Sequence, residues 1–396
     1  MKERFYKLLL FVTVWYYVIL SKAFLLLLNK KAKPDSILYL AAFFPENAGY
    51  HWRVQKWSET LMEEGYNVEI VHALNKDEFY MLKENNFPLF LIRFLRRRFR
   101  QVVHSRNFET VIVRRELLLF NDYGNLFLEK LLLKIHPDAI LDFDDDIAAA
   151  KGQPREIRNI YARLIRENGD KFNQSLRFYN RFIVASNYLK SQLLNLSPDL
   201  DHEAVLVMPT CVDYNKYPQK KYSLSDNIVS FGWIGGEHNY PLLESLLPIL
   251  ERVADTAEIE LLVISGKPFK YEENLNVHFI PWSLETELEN LYQVDIGLMP
   301  LSQLDVDKGK SGFKLIQYMG LGIVSIASAI TINKEIVNDK VNGFLVHDDD
   351  WEKVIRSVLW QKKNFEMIGS SAKATIDTQF TFQSNKSEYV KFVTNT

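Results

Sequence analysis

Read from the N-terminus, the chain opens with a block that has no polar face. Between Leu8 and Leu28 only Thr13, Ser21 and Lys22 are neither apolar nor aromatic. After Lys33-Pro34 the pattern changes to short apolar runs separated by longer mixed ones. The runs Ile37–Phe43, Asn67–Ala73, Thr110–Val113, Ala139–Phe143, Arg181–Ala185 and Val205–Met208 read as buried strands, and His51–Glu64 reads as a helix ended by Gly65. Apolar runs of this length, alternating with helical periods, indicate a parallel sheet built from β-loop-α-β units. Pro209 closes this half, and the polar stretch Thr210–Asn227 reads as an interdomain linker. The pattern then restarts, with strands expected at Val229–Ile234, Glu260–Ile264, Val277–Ile280, Ile296–Met299, Ile323–Ala327 and Phe344–Val346. Helices are expected from about Tyr240 to Ala254 and over Phe382–Val393. The expected fold class is α/β: two Rossmann-like, doubly wound domains facing across a cleft, preceded by an apolar helix. The segments are 1–33 for the apolar helix, 34–215 and 216–380 for the two domains, and 381–396 for a terminal helix.

The opening block is long enough to cross a bilayer, which takes about 20 apolar residues. Three readings stay open. Lys2, Arg4 and Lys7 before the block, with Ser21-Lys22-Ala23 inside it, loosely resemble a signal peptide, although the apolar run resumes at Phe24–Leu28. A spanning helix would have basic flanks on both sides, because Lys30, Lys31 and Lys33 follow it, so the positive-inside rule gives no orientation. A helix lying in the membrane interface fits the same flanks. The segment Leu89–Val103 mixes five arginines with large apolar residues, a pattern that attracts anionic lipid or, read plainly, a helix with one solvated face.

Composition narrows the classes. Lys plus Arg number 48 and Asp plus Glu 50 in 396 residues, a net charge of −2 that disfavours binding to nucleic acid through global charge. The one cysteine, Cys211, excludes an internal disulfide and a cysteine-rich zinc module, and leans towards a reducing compartment. The eight histidines show no metal-ligand spacing, and no covalent-nucleophile constellation stands out.

Chemistry is to be sought in the loops after strands. Gly309-Lys310-Ser311-Gly312-Phe313-Lys314 opens a helix, where free backbone N–H groups and the helix dipole suit a phosphate. Lys314 sits in its first turn, and Gln317, three residues on, shares its face. Phe231-Gly232-Trp233-Ile234-Gly235-Gly236 ends a strand in a Gly-Gly turn, where a backbone can approach a ligand closely. Ser265-Gly266-Lys267 places another lysine after a strand. The run Asp142-Phe143-Asp144-Asp145-Asp146 ends a strand of the first half. Clustered carboxylates raise one another's pKa values, so a task is expected: metal binding, an aspartyl-phosphate nucleophile, or hydrogen bonds to a polyol. A helix N-cap before Ile147 is the plain alternative.

In their order along the chain these motifs resemble the family-4 (group-1) retaining glycosyltransferases. The resemblance rests on Phe231–Gly236, Ile280-Pro281-Trp282, Asp295–Leu301, Gly309–Gly322 and Asn333–Phe344, and in the first half on Arg114-Arg115-Glu116, Asp142–Asp146, Ala185–Leu189 and Pro209–Asp213. It implies a GT-B fold with an acceptor domain first and a donor domain second, and a last helix that crosses back. It implies a nucleotide-diphosphate sugar as donor and retention of anomeric configuration, with no cofactor and no catalytic metal. The donor-binding residues it implies are Trp233, Gly235, Gly236, Lys267, Trp282, Lys310, Ser311, Gly312, Phe313, Lys314 and Gln317, with Lys314 on phosphate and Gln317 on ribose. Two departures matter. Gly309 and Gln317 stand where relatives often carry glutamates, and Asp144 or Asp145 stands where many carry a histidine.

The expected catalytic set is Lys314, stabilising the leaving diphosphate, with Asp144 and Asp145 orienting sugar hydroxyls or supporting an oxocarbenium-like centre. Expected partners are the nucleotide sugar, a glycan or lipid-linked acceptor and a membrane surface, with no nucleic acid. The expected location is cytoplasmic, at the inner face of the cytoplasmic membrane. The rival readings are another GT-B enzyme such as a sugar-nucleotide epimerase, a phosphatase using Asp142 or Asp144, and a polyanion binder using Arg93–Arg100.

Overall fold

A computed structural model describes residues 2–26, 32–78, 87–153, 169–214, 217–223, 228–271, 273–347 and 350–395. The chain forms two compact units, one of residues 1–209 with 386–396, the other of residues 210–385. The expected linker is anchored rather than free. Val212 pairs with Thr381 and donates its N–H to Phe380 O at 2.9 Å, Tyr214 is buried, and the Tyr222 hydroxyl accepts from Val324 N at 2.9 Å. Two tyrosines in a polar stretch, Tyr214 buried and Tyr222 half-buried, thus pack into the second unit. Residues 215–216 and 224–227 of that stretch lie outside the described residues.

The N-terminal unit carries one six-stranded parallel sheet. Its strands are β1 (Lys33–Ala41), β2 (Asn67–His72), β3 (Phe108–Arg114), β4 (Ile140–Phe143), β5 (Arg181–Val184) and β6 (Val205–Val207), in the order β2-β1-β3-β4-β5-β6. The C-terminal unit carries β7 (Val229–Ile234), β8 (Ile259–Ser265), β9 (Asn276–Pro281), β10 (Ile296–Met299), β11 (Val324–Ser328) and β12 (Phe344–Val346), in the order β12-β11-β10-β7-β8-β9. Renumbered within the unit, that is the 3-2-1-4-5-6 order of the dinucleotide-binding fold, with its switch between β7 and β10. Every strand foreseen in the apolar pattern is present. Strands β3, β4, β8, β10 and β11 are buried at nearly every position, which is why they read as apolar runs without alternation.

Two helices are broken where one was expected. The stretch after β7 forms Tyr240–Glu244 and Leu247–Ala254, with Pro248, which has no N–H, in the first turn of the second piece. The stretch after β1 starts with Ala48–Tyr50 and passes through a π-helical turn, His51–Gln55, into Lys56–Glu63. The final helix is Phe382–Thr394. Its residues from Lys386 on belong to the N-terminal unit, where Tyr389 stacks on Trp57 at 3.9 Å and meets the Tyr39 hydroxyl at 2.7 Å.

The opening block is a helix, Lys2–Leu26; Leu27, Leu28, Lys30 and Lys31 lie outside the described residues. Leu10, Thr13, Val14, Tyr17, Val18 and Ser21, spaced three and four apart, are buried, and the apolar ones among them join the core of the N-terminal unit. The helix packs on Phe87–His104 and Phe127–Ile135. Phe5, Leu8, Phe11, Val12, Trp15, Tyr16 and Ile19 on its other side are exposed. The arginine-rich segment lies in helix Phe87–His104, and its arginines divide. Arg98 is buried and donates to the carbonyls of Leu117 and Glu116, and Arg97 pairs with Glu78 at 2.6 Å. Arg93, Arg96 and Arg100 face outward.

Candidate active site

In the C-terminal unit the switch between β7 and β10 is built by close packing. Tyr318 of helix Phe313–Gly320 lies where a Cβ on Gly297 would come within 2.4 Å of its ring. Its hydroxyl accepts from Ile234 N at 3.0 Å and donates to Gly232 O at 3.3 Å. One tyrosine therefore clamps the helix to both strands. Gly312 caps the helix at φ +69°, a conformation that favours glycine, and a Cβ there would strike Ile336 at 2.6 Å.

This clamp sets Lys314 over the ring of Trp233, 4.6 Å from its centroid. A Cβ on Gly235 would approach Trp233 at 2.8 Å and the Lys314 side chain at 2.9 Å. Gly235 is thus the gap that lets the lysine lie along the β7 turn. Trp233 itself is fully buried. Expected among the donor contacts, it forms the apolar platform beneath the ammonium, a cation–π contact worth about 0.5–2 kcal/mol. At Gly236 a Cβ would meet only the exposed His238 imidazole, a side chain that can move aside.

The other expected donor residues are placed unevenly. Lys310, Ser311 and Phe313 are half-buried around the helix start. The loop before them is held by buried Asp307, whose Oδ2 accepts from Ser302 N at 3.1 Å. Lys267 is paired with Glu237 at 3.0 Å, so its charge is partly compensated. Gln317 is buried, and its Nε2 donates to Glu287 Oε1 at 2.7 Å. The indole Nε1 of Trp282 donates to the other oxygen of Glu287 at 2.6 Å. Burial pushes the Glu287 carboxyl up to about 7. Glu287 and Tyr318 were not singled out by the sequence, because the partners that give them their roles, Trp282 and Gln317 for one and the β7 backbone for the other, are brought to them only by the fold.

In the N-terminal unit the acidic run is resolved residue by residue, and at Asp144 the expectation of a raised pKa is overturned. Asp142 is gripped by buried Arg53, whose Nη2 donates to Oδ1 at 2.5 Å, and Arg114 Nε lies 3.7 Å from Oδ2. Asp144 Oδ2 accepts from Arg114 Nη2 at 2.6 Å. Although burial opposes ionisation, the Arg114 and Arg53 guanidiniums hold the Asp144 carboxyl well below the usual range. Asp144 Oδ1 is buried with no hydrogen-bond partner among the described residues, and Asp145 is half-buried and makes no ion pair among them. Asp146 caps helix Ile147–Gly152 by accepting from Ala149 N at 2.8 Å, so here the plain reading holds. The next charges also pair: Glu116 with Lys151, and Arg115 Nε 3.9 Å from Glu116. Arg115 has φ +67°, rare for a residue with a side chain, and donates its N–H to Asp142 O at 2.8 Å. Arg53, from the π-helical turn, is a further residue of this site that no local motif marks. Among the described residues, no group of three His, Cys, Asp or Glu side chains could hold a metal ion.

Comparison with known proteins fits this geometry. Residues 227–362 match the family model described as glycosyl transferases group 1. No curated protein sequence matches the chain. Among solved structures, sucrose-phosphate synthase from Thermosynechococcus elongatus is similar at a TM-score of 0.64 and 11% identity, covering 89% of this chain and 97% of that one. Anabaena HepE in complex with UDP-glucose is similar at 0.62 and 13%, covering 91% and 100%. A glycosyltransferase from Rickettsia africae is similar at 0.60 and 12%, covering 93% and 99%. Two parallel sheets in this order give the chain the GT-B fold of these structures, and within its C-terminal unit residues 227–362 match the group 1 glycosyl transferases.

Proposed function

We propose that the chain transfers a hexosyl group, with retention, from a nucleoside-diphosphate sugar to a glycan or lipid-linked acceptor in cell-surface polysaccharide or glycolipid synthesis. The observation that carries this reading is Lys314, held over Trp233 in the first turn of helix Phe313–Gly320 and beside the gap at Gly235. In the reaction, the bond from the anomeric carbon to the β-phosphate oxygen breaks, and a bond to an acceptor oxygen forms. The acceptor proton passes to the departing diphosphate. Lys314 and the N–H groups after Gly312 stabilise the charge that grows on that diphosphate. HepE, seen with UDP-glucose, supports a uridine nucleotide.

Asp144 and Asp145 act from the N-terminal unit as hydrogen-bond acceptors for sugar hydroxyls, Asp144 through its unpaired Oδ1. Held ionised by arginine, Asp144 is no proton donor. The phosphatase reading loses support, because Asp142 is clasped by Arg53. Lys314→Ala is expected to lower turnover at least 100-fold, about 2.7–4 kcal/mol for one lost donor to the transition-state charge, with the fold intact by circular dichroism. Turnover near wild type would reject the role. Sugar-nucleotide product formed from donor alone would favour the epimerase.

The acceptor side of the proposal includes a membrane surface at the inner face of the cytoplasmic membrane. What supports it is the Lys2–Leu26 helix, apolar all round yet covered by its own protein on one side only. Arg96 and Arg100 lie close enough to its Tyr17 to act on that hydroxyl, and Arg106 stacks over Phe24 at 5.8 Å. An apolar face edged by arginines fits a helix lying in an anionic interface better than one that crosses it. Purified chain is expected to float with vesicles containing anionic lipid and not with neutral ones. Absence from both vesicle fractions would reject membrane association.

A further inference from the structure

We propose that Glu287 is a positioning residue for the nucleoside end of the donor, fixing the Trp282 ring and the Gln317 amide as one rigid wall. The inference rests on the donor reading above and deepens it. Glu287 opens helix Glu287–Leu291, Trp282 follows the end of β9, and Gln317 lies one turn beyond Lys314 on helix Phe313–Gly320. Three separate elements thus meet at one carboxylate, with indole N–H on one oxygen at 2.6 Å and amide N–H on the other at 2.7 Å. Trp282 is further tied to the sheet by its own backbone N–H, which donates to Ser265 O at 2.9 Å.

The placement along the sheet gives the wall its ligand. Lys314 stands at the β7 end, and β9 is the second strand away from β7, about 10 Å at about 4.8 Å per strand. A nucleoside diphosphate spans such a distance between phosphate and base. The half-buried Trp282 ring is the aromatic surface at the far end of that span. A tryptophan left free to rotate would lose entropy on stacking a base; one already held by its N–H does not.

The same carboxyl also lacks a compensating cation. No Lys, Arg or His is ion-paired with Glu287 among the described residues. The other titratable group against it is Tyr214, buried, with its hydroxyl pushed well above the usual value, so Tyr214 stays neutral near pH 7. Glu287 loses its proton near neutrality, and only the carboxylate accepts on both oxygens without opposing a donor. Donor affinity should therefore rise from pH 6 to pH 8.

The test titrates UDP, GDP and ADP into wild-type chain, Glu287→Gln and Trp282→Phe by calorimetry at pH 6 and pH 8. Donor KM and kcat are then measured with the glucose ester of the tightest nucleotide. Wild type is expected to bind one nucleotide several-fold tighter at pH 8. Glu287→Gln should weaken that binding about ten-fold at pH 8, flatten its pH dependence and raise KM with little change in kcat, while its Tm at pH 8 is not lowered. Trp282→Phe, which keeps a ring and removes the N–H, should weaken binding similarly, and the double variant should be no worse than either. Equal affinity in wild type and Glu287→Gln overturns the assignment and leaves the donor reading standing. So does a weakening that comes with a lowered Tm and is absent in Trp282→Phe. Failure of wild type to bind any of the three nucleotides overturns both.

Discussion

Asp144 in the N-terminal unit and Glu287 in the C-terminal unit are both well-buried carboxylates, and they titrate in opposite directions. Asp144 is held ionised, far below its ordinary value, because the guanidiniums of Arg114 and Arg53 outweigh its desolvation. Glu287 is pushed up to about 7, because the neutral donors Trp282 and Gln317 do not. Burial alone therefore does not say what an acid can do. What decides is whether a full positive charge or a dipole faces it. The first arrangement locks charge state and geometry together. The second leaves a group whose charge changes within the working pH range, which suits a residue whose partners must meet a ligand.

The comparison breaks most visibly if the Arg53–Asp142 pair is cut. Arg53 is almost wholly buried, and beyond Asp142 its Nη1 donates to Met208 O at 2.9 Å. Asp142→Ala leaves that guanidinium without its counter-charge, and removing one partner of a buried pair typically costs about 3–5 kcal/mol. The urea midpoint of Asp142→Ala should fall accordingly, read from both far-ultraviolet circular dichroism and intrinsic fluorescence. A midpoint close to wild type would mean that Arg114 or solvent takes over, and that the acidic run is not a structural lock.

The same contrast explains what was legible in the sequence. Both sheets were, because parallel strands buried on two faces must be apolar throughout, and loops between them must be polar. The loops that bring Gly235 and Lys314 together were, because glycines that end a strand or open a helix stand out locally. The acidic run was seen, but not what holds it. The charge that fixes Asp142 comes from Arg53, 89 positions earlier, and no local pattern links them. Glu287 was passed over for the same reason, since Gln317, its partner, is 30 positions away. The departure noted at Gln317 also looks different in three dimensions. The acid absent from that position in the sequence is present in space, 2.7 Å from the amide, supplied by another helix. The opening helix was legible as apolar, but its one-sided burial depends on Phe99, which meets Tyr17, and on helix Phe127–Ile135, which only the fold brings beneath it.

The finer test concerns stability and follows from the sign of the Glu287 shift. In the unfolded chain this carboxyl titrates near 4.5, in the folded chain near 7. The folded state therefore holds the proton more tightly, and ionising Glu287 costs stability. That cost is absent below about pH 4.5, grows as pH rises through the window between the two values, and is complete above about pH 7. For Asp144 the sign is reversed: its contribution is present at neutral pH and is lost as acid protonates it. Glu287→Gln removes the cost while keeping the shape, so it should stabilise the protein at pH 8 by up to about 3 kcal/mol, at 1.36 kcal/mol per unit, and do little near pH 4.5. Urea unfolding of wild type and variant at pH 5, 6.5 and 8 reads this directly. The gap should open with rising pH. A constant gap would mean that the two hydrogen bonds, rather than the charge, are what the substitution alters. A variant that gains stability while losing donor affinity separates the two roles, because a residue kept for packing alone would lose both together.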